Sequence, residues 1–255
     1  MNPDAYLEMA ATETRHWWFA GRRAILESVI SRLGLPPSAR ILEIGSGTGG
    51  NLKMLSAFGH VSALEMDPGA RAMAEKKTGG RFDIRPGFCP DNIPFTGEKF
   101  DLICLFDVLE HIEKDVETLA AARALLAEGG RLLLTVPACR WMWGPHDEFL
   151  HHKRRYSAAE LREKATAGGL RPDKLSYFNT LLFPLAAALR IKDRMIGNRH
   201  SSGTGIPPSF INLLFRHVFG MERLLLKSIN FPIGVSLIAI LRSQQFAMES
   251  SPLRL

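Results

Sequence analysis

Runs of apolar residues alternate with amphipathic segments through the middle of the chain. Between the runs, apolar residues recur at helical intervals, with helices predicted at about 49–58, from Asp67-Pro68 onward and around 113–127. Strands that alternate with helices are typical of a parallel sheet covered on both faces, so the pattern predicts an α/β fold. The runs that have the composition of strands are 41–45, 61–66, 82–87, 100–106 and 129–138.

Helical and strand signals continue on both sides of this core. Residues 4–33 have helix-compatible spacing, and Ser157 to Glu160 form a capping box that opens a further helix. A strand is expected near 174–178, and the last apolar run, 234–241, predicts another.

The composition is that of an ordinary soluble globular protein, with 46% hydrophobic and 23% charged residues among 255. The three cysteines, Cys89, Cys104 and Cys139, include no CxxC pair, so neither a disulfide framework nor a zinc site is indicated. The first residues are acidic and lack the apolar stretch of a secretory signal. These features predict a cytoplasmic protein without a membrane-spanning helix.

Charge is distributed unevenly along the chain. Residues 150–255 hold 16 Lys and Arg against 6 Asp and Glu, whereas residues 1–149 hold 16 against 20. The basic part indicates either an acidic ligand or surface, or a solvated basic face. Apolar residues recur at helical spacing within 205–230 with basic residues between them, which fits peripheral contact with the inner face of a membrane, extra helices on the sheet, or a dimer interface.

A glycine-rich loop, Glu43 to Gly50, follows the first strand of the core. Gly45, Gly47 and Gly50 fit the GxGxxG pattern, whereas the acidic residue with Gly45, Gly47 and Gly49 fits an acidic-x-Gly-x-Gly-x-Gly pattern. A carboxylate at position 43 gives a pyrophosphate no advantage but could hold the ammonium of an amino acid. This favours S-adenosylmethionine as the cofactor, with a nicotinamide dinucleotide as the alternative.

The segments ILEIGSGTG, ALEMD, FDLICLFDVLEHI and LAEGGRLLLTVP, within about 40–140, resemble the motifs of class I S-adenosylmethionine-dependent methyltransferases, particularly the type 11 group with the ubiquinone-biosynthesis O-methyltransferases. The resemblance implies a Rossmann-like, seven-stranded, mostly parallel sheet in the order 3-2-1-4-5-7-6, with the seventh strand antiparallel. We expect a single methyltransferase domain over 1–255. Its parts would be an N-terminal helical lid (1–38), a Rossmann-like core (39–180), a helical insertion before the last strand (181–232), and the last strand with a tail (233–255).

The same resemblance implies roles for individual residues. Phe106 and Asp107 would line the cofactor near its methyl group, and Arg22 or Arg23, with Arg23 assigned here, would reach the cofactor carboxylate. Many relatives carry Gly-Asp after the third strand for the adenine amine; here either Asp91, from a longer loop, or a main-chain carbonyl would serve. The other implied cofactor residues are Glu43, Gly45, Ser46, Gly47 and Gly49 for the methionine portion, Glu65 for the ribose and Met66 beside the adenine.

His111 follows the fourth strand and is the candidate general base, because its unperturbed pKa near 6.5 suits that role. Its alternative role is to fix the loop. With Asp107 and Glu110 it also resembles a divalent-cation arrangement of some ubiquinone-pathway relatives, but the strand end is expected to break that geometry, and no metal is assigned.

The loop 141–156 combines tryptophans with a basic cluster, which suits an acceptor with an apolar body and an anionic group. Alternatively the loop is structural, with tryptophans in the core and Arg and His side chains bonded to loop carbonyls. The favoured function is methylation, on oxygen, of a small or lipid-like acceptor. The alternatives are a nicotinamide-dependent enzyme and a nucleic-acid methyltransferase or binder. The nucleic-acid alternative is disfavoured because the sequence has no NPPY-like motif for a flipped base. The oligomeric state is left open.

Overall fold

The computed structural model describes residues 3–196 and 205–244. Its centre is a seven-stranded sheet in the order β3-β2-β1-β4-β5-β7-β6, in which β7 runs antiparallel to both of its neighbours and the other pairs are parallel. The strands are β1 Arg40–Ile44, β2 His60–Glu65, β3 Asp83–Pro86, β4 Phe100–Phe106, β5 Leu126–Pro137, β6 Leu170–Phe178 and β7 Ser236–Ser243. The sheet order and the single antiparallel strand confirm the predicted fold class.

Helices cover both faces of the sheet and precede it in the chain. They are α1 Pro3–Thr12, α2 Trp17–Ile30, α3 Leu52–Leu55, α4 Pro68–Thr78, α5 Asp115–Ala124, α6 Pro145–Phe149, α7 Ala158–Ala167, α8 Phe183–Ile196 and α9 Ser209–Leu225. The helix predicted at 49–58 is the four-residue α3, because Gly49 (φ 78°) lies in the left-handed region ahead of it. The helix predicted to begin at Asp67-Pro68 is α4, and Asp67 caps it by accepting from the main-chain N–H of Ala70.

Two apolar layers form the core, one on each face of the sheet. On one face, Leu119 of α5 and Leu161 of α7 pack against the strands. On the other, Ile25 of α2 and Phe219 of α9 do so. Helix α9 lies so close to α2 that a Cβ at Gly21 would meet the Phe219 ring at 2.5 Å. Both faces are therefore covered where the parallel strands require it.

The predicted insertion contains α8 and α9, between β6 and β7 in the chain. Buried Glu222 of α9 fixes the start of this segment by accepting main-chain N–H bonds from Asn179, Thr180 and Leu181 at 2.7–2.8 Å. The middle of the insertion, 197–204, and the predicted tail from 245 lie outside the described residues. Within the described part, no helix combines the length and hydropathy that crossing a bilayer requires.

Candidate active site

The glycine loop follows β1 at the carboxyl edge of the sheet. Gly45, Gly47 and Gly49 all have positive φ, at 72°, 54° and 78°, a conformation that glycine adopts without the penalty of a side chain. A Cβ at Gly45 would also meet the Val108 side chain at 2.7 Å. The sequence therefore folds here into a sharp turn that exposes main-chain atoms to the cavity beside it.

Glu65 ends β2 with its side chain in that cavity. Its carboxylate accepts from the N–H of Gly47 at 2.7 Å and from the N–H of Asp67 at 2.9 Å. Burial raises the pKa of Glu65, although the bonds from these main-chain groups oppose the shift. The hydroxyl of Tyr6, from α1, also lies against this carboxylate; burial first, and then the charge of Glu65, raises the pKa of Tyr6. Glu65 is thus held rigidly at the place where a ribose would meet it.

Several buried polar atoms beside the loop lack partners among the described residues. They are Oε2 of Glu43, Oγ of Ser46 and Oδ1 of Asn51. Glu43 does not line the cavity itself; its other oxygen accepts from Asn51 Nδ2 at 2.8 Å, and Asn51 does line it. Burial raises the pKa of Glu43 to about 7. Unsatisfied buried acceptors are costly, so this corner fits a ligand that brings hydrogen-bond donors, such as an ammonium.

Phe106 and Asp107 reach the cavity where β4 ends. Asp107 has a φ of 56°, a strained value for a residue with a side chain. It is held there by its own N–H to the carbonyl of Thr135 at 3.0 Å, by the Thr135 hydroxyl at 3.1 Å and by an ion pair with Arg22. Such over-determined strain is common at functional sites.

Four predicted cofactor residues lie away from the cavity lining. Arg23 donates to the main-chain carbonyl of Glu13 at 2.7 Å, and it is Arg22 that lines the cavity. Asp91 is exposed and pairs with Lys114 at 3.0 Å. The other two are Glu43, behind Asn51, and Gly49, which is packed against Ala74.

Gly45, Ser46, Gly47, Glu65, Met66, Phe106 and Asp107 do line the cavity. Near Asp91 its wall is formed by Gly87, Phe88 and Cys89 instead, which leaves the main chain as the available partner for an adenine amine.

The N-terminal helices, the segment predicted as a lid, form part of the cavity wall. Glu13, just after α1, is buried; it accepts from the Thr48 hydroxyl at 2.7 Å and forms an ion pair with Lys77 of α4. Met9 of α1 lies opposite Gly47, and Trp18 of α2 lines the cavity while its ring faces the Arg22 guanidinium at 4.6 Å. The glycine loop is therefore covered by α1, and the part of the cavity near Asp107 is covered by α2.

A buried polar cluster borders the other side of the cavity. The ring of His111 lies 4.7 Å from that of His152, and its Nδ1 has no partner among the described residues. Burial, and then the neighbouring His152, lower the pKa of His111 to about 3, so the ring is neutral at physiological pH. Glu110 is fully buried with neither oxygen hydrogen-bonded within the described part, and burial raises its pKa.

His152 is oriented by Asp147, whose carboxylate lies 2.9 Å from Nδ1. Burial alone would raise the pKa of Asp147, but the bonds from His152 and Arg155 outweigh it and hold that pKa at about 2. With Nδ1 engaged, Nε2 of His152 faces the Glu110 carboxylate at 3.9 Å.

Glu110, His111 and His152 offer ligand atoms that lie within 4.8 Å of one another, a set that could hold a divalent cation. Asp107, the third member in the arrangement expected from the sequence, is engaged with Arg22 instead.

The cavity has a volume of about 740 Å³ and extends from the glycine loop to α8. Its far end is apolar, with Met142, Leu150, Ala186 and Leu189 in the wall. Arg190 also lines it, half-buried and in no ion pair among the described residues. The Arg190 guanidinium rests on the main chain at Gly144, where any side chain would meet it at 1.9 Å.

Sequence reasoning missed Tyr6, Asn51 and Arg190. Asn51 stands one residue after the glycine loop, so its position is a usable signal. Tyr6 comes from the first helix and Arg190 from α8, far apart in the sequence, and only the tertiary fold brings them to the cavity.

This fold and cavity define a Rossmann-like domain that binds a nucleoside cofactor at the carboxyl edge of a parallel sheet. A family model described as methyltransferase domain matches residues 18–180, well over half of the chain. The chain belongs to this methyltransferase family. The acidic glycine-loop pattern is thereby favoured over the dinucleotide one, while the narrower likeness to ubiquinone-pathway enzymes stays a prediction.

An uncharacterized protein of Methanocaldococcus jannaschii is 29% identical over 120 residues, which are 47% of this chain and 55% of that protein. The chain thus spans about half the length of this curated relative.

Among solved structures, the complex of the Haloferax volcanii Trm112 methyltransferase activator with a candidate methyltransferase matches with a TM-score of 0.63, at 17% identity over 95% of this chain and 96% of that one. An S-adenosylmethionine-dependent methyltransferase of Clostridium acetobutylicum matches with a TM-score of 0.57, at 12% identity over 88% and 91% of the two chains. At these identities the likeness shows the fold.

Proposed function

We propose that the protein transfers a methyl group from S-adenosylmethionine to an oxygen atom of a small, amphiphilic or lipid-like acceptor. The observation that carries the proposal is the continuity of one cavity, from the glycine loop and Glu65, past Asp107, to a far end lined by His111 and the apolar residues of α8. Two ligands can therefore lie end to end with their reacting atoms near Asp107.

The residues at the glycine loop fit the cofactor. Bound S-adenosylmethionine supplies an electrophilic methyl group on a sulfonium. Glu65 would accept from the ribose hydroxyls, and Asn51 Oδ1, backed by Glu43, would accept from the ammonium of the methionine portion. Main-chain N–H groups of the loop and the Arg22 guanidinium face the region of its carboxylate.

His111 supports an oxygen acceptor of low pKa, such as a phenol or an enol. His111 lines the cavity, and a neutral imidazole can accept a hydrogen bond from an acceptor hydroxyl and take up its proton as the oxygen attacks. Because its pKa is lowered to about 3, His111 is a weak base, and it suits an acceptor that gives up its proton readily.

The far end of the cavity supports an acceptor with an apolar body and an anionic group. Met142 and Leu189 offer apolar contact, and Arg190 offers a guanidinium that forms no ion pair in the described part of the chain, with Asp193 also in the lining. Arg155, in contrast, is already committed to Asp147 and to the carbonyl of Ala138, so it serves the loop and not the acceptor.

Calorimetric titration with S-adenosylhomocysteine and, separately, NADH tests the cofactor. We expect micromolar binding of the first and none of the second. Transfer of labelled methyl to a panel of phenols, enols, amines and thiols, each with and without an acyl chain and a carboxylate, then tests the acceptor. Product on an amine or thiol with none on oxygen would refute the oxygen assignment.

The role of His111 is tested with His111→Asn, with His60→Asn on an exposed strand end as the matched control. General-base catalysis contributes about 10²–10⁴-fold, and His111 is a weak base, so kcat should fall by a factor near the lower end of that range in the first variant and stay unchanged in the second. S-adenosylhomocysteine binding should be kept in both. An unchanged kcat in His111→Asn would leave His111 a loop-fixing residue.

A further inference from the structure

Helix α9 presents an apolar stripe to solvent on the side that faces away from the protein. Its members recur at intervals of three, four and seven residues, the spacing of a single helical face, with exposed His217 between Leu214 and Met221, and Phe210 is 76% exposed. The other apolar members are Leu213, Leu214, Met221, Leu224 and Leu225, all 44–55% exposed. An exposed apolar surface of this extent is unusual on a soluble domain and marks an interaction site.

The apolar stripe is not the face of α9 that packs against the rest of the protein. The opposite side of α9 is the one that packs, through Phe219 against Phe178 and Trp17, and through buried Glu222 against the main chain. Removing the apolar stripe would leave those contacts intact, so the stability of the fold does not account for it.

Basic residues follow one flank of the stripe. Arg216 and Arg223 are exposed and seven residues apart, which places them in one row beside the apolar face, and exposed Lys227 follows just after the helix ends. None of them forms an ion pair within the described residues. An apolar face bordered by unpaired cations is the pattern of a helix that lies in the interface of an anionic bilayer.

The stripe lies on an element that reaches the cavity mouth. Asn212, near the start of α9, accepts from the N–H of Trp17 at 2.8 Å and donates to the carbonyl of Arg15 at 2.9 Å. Trp17 and His16 line the cavity. On α8, Leu189 is both 52% exposed and part of the cavity wall. A surface held by α9 would therefore lie near the entrance.

We propose that α9 docks the protein on an anionic lipid surface, with the stripe of Phe210, Leu214 and Leu224 in the interface and with Arg216, Arg223 and Lys227 on the headgroups. Charge complementarity selects lipid over a second copy of this chain, whose corresponding residues would be equally basic. The proposal does not depend on which acceptor is methylated.

The test is co-sedimentation of the full chain with sonicated vesicles of phosphatidylcholine alone and of phosphatidylcholine with 30% phosphatidylglycerol, at low and high salt. Each basic residue near an anionic surface contributes about fivefold to binding, so Arg216→Gln, Arg223→Gln and Lys227→Gln together should weaken binding to the anionic vesicles by about 100-fold. The matched control changes three exposed charges elsewhere, Lys76→Gln, Arg162→Gln and Arg171→Gln, and should bind like the wild type.

A second variant, Phe210→Ser with Leu214→Ser and Leu224→Ser, should lose vesicle binding at least tenfold while S-adenosylhomocysteine binding is kept. Retained cofactor binding shows that the variant is folded. Failure of the wild type to sediment with anionic vesicles at low salt would overturn the proposal, as would a dimer in sedimentation velocity that this variant converts to monomer without any vesicle binding. Absence of S-adenosylhomocysteine binding by the wild type would refute the proposed function and leave the lipid-docking proposal standing.

Discussion

Gly47→Ala separates two roles of this glycine, its left-handed turn and its close approach to the cofactor, because the added methyl would enter the cavity without crowding the protein. The residue has a φ of 54°, and its Cβ would meet Met9 at 3.7 Å, an ordinary van der Waals contact. The cost to stability is then the left-handed conformation alone, roughly 1–2 kcal/mol. Where the cofactor approaches the main chain, the same methyl is an overpacked group costing about 1–3 kcal/mol, which is about 5–150-fold in affinity.

Gly34→Ala is the matched control. Gly34 has a φ of 64°, and a methyl there would have no atom within 4 Å. Urea denaturation should show similar losses of unfolding free energy in both variants, whereas calorimetry with S-adenosylhomocysteine should show weakened binding in Gly47→Ala only. Wild-type affinity in Gly47→Ala would refute the reasoning, because the cofactor would then not lie against this loop.

Three further predictions concern the same cavity. Glu65→Gln should weaken S-adenosylhomocysteine binding at least tenfold in calorimetry, since bonds to a charged group contribute about 1.5–3 kcal/mol, whereas Asp91→Asn, outside the cavity, should not. Arg22→Ala should lower the unfolding free energy in urea by about 2–3 kcal/mol, because Asp107 keeps its strained position without its cation. His111 has a pKa near 6.5 in the unfolded chain and about 3 in the folded protein, so between these values the unfolded chain binds a proton that the folded protein does not. The unfolding free energy should therefore decrease as the pH is lowered from 6.5 to 3, and it should decrease less steeply in His111→Asn.

Local signals were sufficient to predict the alternation of strands and helices, whereas the order of the strands was implied by the family resemblance. The capping residues Asp67 and Ser157 fix helix starts through bonds between neighbours, and these bonds are present. The buried strands read as continuous apolar runs because both faces of the sheet are covered. The exception is α3, where left-handed glycines needed for the loop outweigh helical spacing.

The site was less predictable, because its lining depends on which way a side chain points after packing. Arg22 and Arg23 are adjacent in a helix and leave it about 100° apart, so the choice between them required the structure. Asp91 stands after a main-chain turn whose direction the sequence does not reveal, and Lys114 draws it outward. His152 meets His111 across more than 40 residues, a contact that spacing along the chain does not indicate.

The charges around the cofactor end of the cavity predict that it favours a ligand that carries a positive charge. Burial raises the pKa values of Glu43 and Glu65, because it disfavours the charged form of a carboxylate that has no positive charge close by. The nearby cation, Arg22, is already paired with Asp107. The ammonium of the methionine portion would bring that charge to Glu43 through Asn51. With the pKa of Glu43 at about 7, the carboxylate is half-protonated at neutral pH, so binding of the cation should expel a proton and strengthen as pH rises through 7.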